Sequence, residues 1–182
     1  LANKKINPTD HNIEITDATY KNVLTHYGPK NAKNRIVIGA YYDTYTPTNN
    51  PNNVHYPGAG ANAIGVSALL ELSRELMRLA PDLKDTRIDL VAYTLKEPGI
   101  RLGSQVHALS LAKAGIKPQG VLSLESPGFY TNKANSQRYP LDSSLIASKH
   151  GTVGNYVAVG DMRSTSTSWV EDIGSYLDAH AK

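Results

Sequence analysis

Two neighbouring segments constrain this chain most: Arg35-Ile-Val-Ile-Gly-Ala-Tyr-Tyr-Asp-Thr44 and Pro57-Gly-Ala-Gly-Ala-Asn-Ala-Ile-Gly65. Ile36-Val37-Ile38 is an unbroken β-branched run, which suits a buried strand. It ends in a polar tip at Tyr41, Tyr42 and Asp43. The glycine-rich segment then opens a long amphipathic helix. A strand tip facing a helix start is where an open α/β sheet places its chemistry.

The pattern around these segments is regular. From Ala63, the residues Val66, Leu69, Leu70, Ser73, Leu76, Met77 and Ala80 recur at helical spacing, and Pro81 stops the run. Glu71 with Arg74 and Glu75 with Arg78 occupy the other face. Arg87 to Thr94 reads as the next strand, apolar on both faces at Leu90-Val91-Ala92. Ser104 is expected to cap a helix through Ala114, with Gly115 after its end. Gly120 to Glu125 and Asn155 to Gly160 read as a third and a fourth core strand. Between them, Ser126 to Pro140 is a loop and Leu141 to Lys149 a short helix. Ser166 to Ala181 forms the last helix, with Trp169, Ile173 and Leu177 on one side.

Upstream, Tyr20 to Tyr27 alternates as a strand. Gly28-Pro29 then turns it into the strand at Arg35, a hairpin signature. Residues 1–17 form a polar arm that pairs at an edge, and Tyr45 to Tyr56 is a surface loop. Strand, helix, strand, helix, strand predicts an α/β three-layer sandwich: a mostly parallel central sheet with helices on both faces. The 182 residues are read as one domain.

Composition narrows the chemistry. With no cysteine, disulfides, thiolate metal sites and cysteine nucleophiles are excluded. A net charge of +3 with scattered lysines makes no nucleic-acid stripe. No apolar run reaches the ~18 residues of a membrane-spanning helix. No Gly-x-Ser-x-Gly nucleophile elbow is present, and the glycine loop lacks the Gly-Lys-Ser/Thr ending of a phosphate loop.

The two opening segments resemble the di-zinc aminopeptidase family, which includes bacterial leucyl aminopeptidases, glutaminyl cyclases and the transferrin-receptor and nicastrin ectodomains. There the strand usually ends Gly-Ala-His-Tyr-Asp, and the loop usually reads Pro-Gly-Ala-Asp-Asp-Asn-Ala-Ser-Gly. Tyr20-Lys-Asn-Val23, Thr94-Leu-Lys-Glu-Pro98, Leu122-Ser-Leu-Glu-Ser126 and Ser136-Gln-Arg-Tyr-Pro140 extend the likeness from about Tyr20 to Asp161. The resemblance implies a zinc-exopeptidase-like fold and, in active members, two zinc ions held by histidines and carboxylates with a glutamate as general base.

Carried over position by position, the strand-tip histidine falls on Tyr41 and the bridging aspartate on Ala61. The general base falls on Lys96. The ligand carboxylates survive as Glu97 and Glu125, and Asp43 keeps the place of the aspartate that orients the histidine. His55 lies in the right loop and is the best substitute ligand. The family's late histidine and C-terminal strands would come after Lys182, so the resemblance is read as a degenerate, C-terminally truncated member.

Two functional readings follow. The first is a catalytically inactive member that keeps the fold without the metals and binds a peptide or protein. The second is a metal-dependent peptide hydrolase using Glu97, Glu125 and His55. The replaced ligands and base favour the first, with no cofactor expected. Family resemblance favours a secreted or extracytoplasmic location. The three acids Asp43, Glu97 and Glu125 converge in the family frame, so Lys96 is read as their counter-charge. That role requires an irregular backbone after Thr94, because adjacent strand residues point to opposite faces.

Overall fold

Central strands need apolar side chains on both faces, and two segments supply them. In Thr86–Tyr93 the adjacent residues Leu90 and Val91 are both buried, at 3% and 0% exposure. In Asn34–Tyr41, Val37 and Ala40 are likewise buried on opposite faces. The computed structural model describes residues 9–15, 18–44, 57–96, 101–128, 130–137, 148, 151–159 and 168–180. They form two compact units, 1–128 and 129–182.

The first unit holds β1 (Thr9–Ile15), β2 (Ala18–Tyr27), β3 (Asn34–Tyr41), α1 (Ile64–Leu79), β4 (Thr86–Tyr93), α2 (Leu102–Lys113) and β5 (Gly120–Ser123). The sheet order is β1-β2-β4-β3-β5. β4, β3 and β5 run parallel, while β2 and β1 add antiparallel strands at one side. The predicted hairpin between the Tyr20–Tyr27 strand and the Arg35 strand does not form. β4 lies between them, pairing Val23 with Ala92 on one edge and Ile38 with Leu90 on the other. The reason is burial: β4 is apolar on both faces and takes an interior place, whereas β2 exposes Tyr20 and Val23. The polar arm does pair at the edge, as β1 against β2.

α1 covers one face of the sheet. Leu69 and Leu76 pack with Tyr27, Ala40 and Leu90, and each buried leucine of this kind contributes about 1.5–3 kcal/mol. Ser73 belongs to the buried stripe because its hydroxyl shares a 2.6 Å hydrogen bond with Tyr27. Leu70, assigned to the same stripe from spacing, instead faces out at 60% exposure. α2 covers the opposite face, where Leu111 and Leu24 pack against Val37, Tyr41, Val91 and Tyr93.

α2 begins at Leu102, two residues before the expected cap, and Ser104 Oγ donates back to the Arg101 carbonyl. At its other end Gly115, at φ +68°, donates to Ala112 O, and Ile116 donates to Leu111 O. That double bond pattern is the glycine stop expected there. β5 ends the sheet and exposes Val121 at 63%, so it is less enclosed than a core strand.

In the second unit, α3 (Ser168–His180) matches the expected last helix. The predicted strand at Asn155–Gly160 is not one: described residues 151–159 carry no strand. Their hydrogen bonds go instead to the 131–137 loop, with Thr131 donating to Gly154 O and Gln137 to Thr152 O. The predicted Tyr45–Tyr56 loop lies outside the described residues, as does the Leu141–Lys149 helix apart from Ser148.

Candidate functional site

Three strand exits meet at one end of the sheet: Tyr41–Asp43 after β3, Thr94–Lys96 after β4, and Leu124–Glu125 after β5. Parallel pairing of the three strands puts these exits side by side. The Ala59–Ala63 turn before α1 closes on them from the loop side.

Asn62 fastens this turn. It is 2% exposed, and its amide nitrogen donates to Leu124 O at 2.8 Å and Tyr41 O at 3.2 Å. Its amide oxygen accepts from Ser126 N at 2.9 Å. Gly65 sits against it so closely that an added Cβ would lie 2.5 Å from the amide oxygen. Asn22 does the same for the α2 side, bonding Gly103 O and Thr94 N from a fully buried position. Sequence reasoning placed Asn22 and Asn62 inside familiar segments without giving them a task. No pattern along the chain marked them, since their partners lie 21 to 81 residues away.

Tyr41 is a packed tyrosine. It is 6% exposed, its hydroxyl donates to Ser104 Oγ at 2.6 Å, and its ring lies 5.5 Å from that of Tyr93. Tyr93 in turn shares a 2.9 Å hydrogen bond with Nδ1 of His107, itself 3% exposed. Burial pushes the Tyr93 phenol well above its usual range, with Tyr41 and Asp89 adding to the effect. His107 is thus a core residue tied to a buried phenol.

Lys96 lies at the centre of the exits. Leu95 has φ +58°, the irregular backbone that the counter-charge reading required. The Lys96 amide donates to Asp43 Oδ2 at 2.9 Å. Its ammonium forms an ion pair with Glu125 and stands 5.9 Å from the centre of the Tyr41 ring. Ala61 is exposed and offers no donor atom. Glu97 and His55 lie outside the described residues.

A model of peptidase family M28 matches residues 22–171. This chain belongs to peptidase family M28. It is 39% identical over 136 residues to the uncharacterized protein YfbL of Escherichia coli K12, covering 72% of this chain and 40% of that one. The Legionella pneumophila aminopeptidase LapA has a similar fold, with a TM-score of 0.56 at 24% identity over 70% of this chain and 31% of LapA. An Acidobacteriales glutaminyl cyclase gives a TM-score of 0.50 at 17% identity over 86% of this chain and 58% of its own. The expected zinc-exopeptidase fold is therefore present, and the chain spans about 40% of the length of YfbL.

Zinc belongs to such M28 aminopeptidases, so the donor set can be tested against it. A close pair of dications needs oxygen or imidazole ligands and a shared anion. At the positions carried over, this M28 domain offers a buried phenol whose proton is engaged, an alanine and an ammonium. No three His, Cys, Asp or Glu residues gather among the described residues. These residues do not fit a two-zinc site.

Proposed function

We propose that this M28 domain is a catalytically inactive member of its family, acting as a scaffold or binding module for a peptide or protein outside the cytoplasm. One observation carries the reading: the ammonium of Lys96, at the general-base position, is engaged by Glu125, a family ligand position. An ammonium held by a carboxylate has no lone pair with which to accept a proton from water. General-base assistance, worth roughly 10²–10⁴-fold, is lost with it. Ala61 supports the same reading, since without a bridging anion two dications ~4 Å apart repel strongly.

The test is twofold. Purified protein dialysed against zinc and analysed by elemental spectrometry is expected to hold less than stoichiometric metal. An aminoacyl chromogenic substrate is expected to remain uncleaved. Two zinc ions per chain, or robust turnover abolished by Glu97→Ala, would establish the altered-site hydrolase instead. Restoring Tyr41→His, Ala61→Asp and Lys96→Glu together is expected to leave the chain inactive unless a further histidine ligand is supplied.

A further inference from the structure

The strand exits carry Glu125, at a family metal-ligand position, and this chain presents a cation of its own beside it. We propose that Glu125 and the face of Tyr41 form a binding site for one primary alkylammonium group, and that Lys96 is its tethered occupant. This rests on the reading above that the position no longer serves a metal pair.

Five observations bear on whether this is a built site or a passing surface contact. Leu95 adopts φ +58°, a conformation that bulky L residues seldom take, and it redirects the chain immediately before Lys96. The Lys96 amide is then fixed by Asp43 Oδ2 at 2.9 Å, so the side chain starts from a held backbone. The ammonium meets a carboxylate, Glu125, and an aromatic face, Tyr41 at 5.9 Å, the pairing of groups by which alkylammonium ions are recognised. The Tyr41 ring is itself held, by its 2.6 Å bond to Ser104. The Lys96 side chain is 22% exposed and its partner Glu125 46%, against 69% and 63% for Arg74 with Glu71 and 73% and 48% for Arg78 with Glu75.

A site of this kind binds its cation in trans once the tether is cut. The experiment measures thermal midpoints of the full chain and of Lys96→Ala, Lys96→Met, Glu125→Gln and the Lys96→Met/Glu125→Gln double variant. Each is measured with n-butylammonium chloride and with sodium chloride at equal ionic strength. Lys96→Ala is expected to melt about 2–4 °C lower, the shift that ~1 kcal/mol produces in a chain of this size. n-Butylammonium is expected to raise the Lys96→Ala midpoint and to leave the parent unmoved. Glu125→Gln combined with Lys96→Met is expected to cost less than the sum of the single changes and to show no rescue.

Equal rescue by sodium chloride, or Lys96 variants as stable as the parent, would overturn the site. If Lys96→Ala does not fold alone, its refolding yield in the two salts becomes the readout, and equal yields overturn the proposal. Peptidase turnover by the parent is a separate outcome. It would reject the inactive-member reading while leaving the Lys96–Glu125 coupling to be judged by the double variant.

Discussion

Asn62 uses both ends of its amide and is itself only 2% exposed. Removing a side chain of this kind strands the Tyr41 and Leu124 carbonyls and the Ser126 amide together. Each orphaned buried polar group costs about 1–3 kcal/mol. Asn62→Ala is therefore expected to lower the urea midpoint by an amount corresponding to at least ~1–3 kcal/mol, with an unchanged m-value. An unshifted midpoint would show that the strand exits hold without it. At this scale the sequence was informative wherever a residue departs from a familial position. Tyr41, Ala61 and Lys96 each stand out because a ligand or base type is missing. Asn22, Asn62, Ser104 and His107 departed from nothing visible. Their roles depend on partners 21 to 81 residues away or on a packed ring, which spacing along the chain cannot show.

Among elements, α1 offers a test of which leucines carry the fold. Leu69 is 5% exposed and packs against β3 and β4, whereas Leu70 is 60% exposed. Leu69→Ala is expected to cost about 2–5 kcal/mol in chemical denaturation, and Leu70→Ala to stay within ~0.5 kcal/mol. Equal losses would mean that the helix is rotated from the position described. The helix itself, its ion pairs and its proline stop were legible from periodicity. Its register against the sheet was not, since Leu69 and Leu70 both fit a stripe at spacings of three and four. Strand order shows the same boundary. β2, β3 and β4 were each recognisable, but alternation says nothing about which strand a neighbour will be. The local turn at Gly28-Pro29 suggested a hairpin that the apolar β4 displaces.

At the scale of the whole molecule, one contribution to acid sensitivity is expected at His26, beside Asp89 in the middle of β4. Asp89 is 3% exposed and is paired with Arg35 at 3.5 Å and Arg87 at 2.7 Å. His26 lies across from Asp89 in the strand register. Its pKa is lowered from the usual 6.5, first by partial burial and then by Arg87 and Arg35, with Asp89 opposing. A base whose folded pKa is depressed stays neutral while the unfolded chain takes up a proton. The contribution of His26 to stability is thus complete above about pH 6.5 and declines as the pH falls below it. His26→Gln is expected to flatten the decline in thermal midpoint between about pH 6.5 and pH 5. An unchanged slope would assign that loss to other groups.

The place of β4 between β2 and β3 also sets a schedule for synthesis. β3 ends at Tyr41 and β4 at Tyr93, so 52 residues (93 minus 41) separate the two partners. At 5–20 residues per second, a ribosome takes about 3–10 s to bridge that gap. During this interval β2 has only β1 beside it, and the Ile36-Val37-Ile38 strand has no neighbour in the sheet. The nascent chain is therefore expected to carry unpaired apolar strand edges for seconds, during which pairing with other chains would compete with β4.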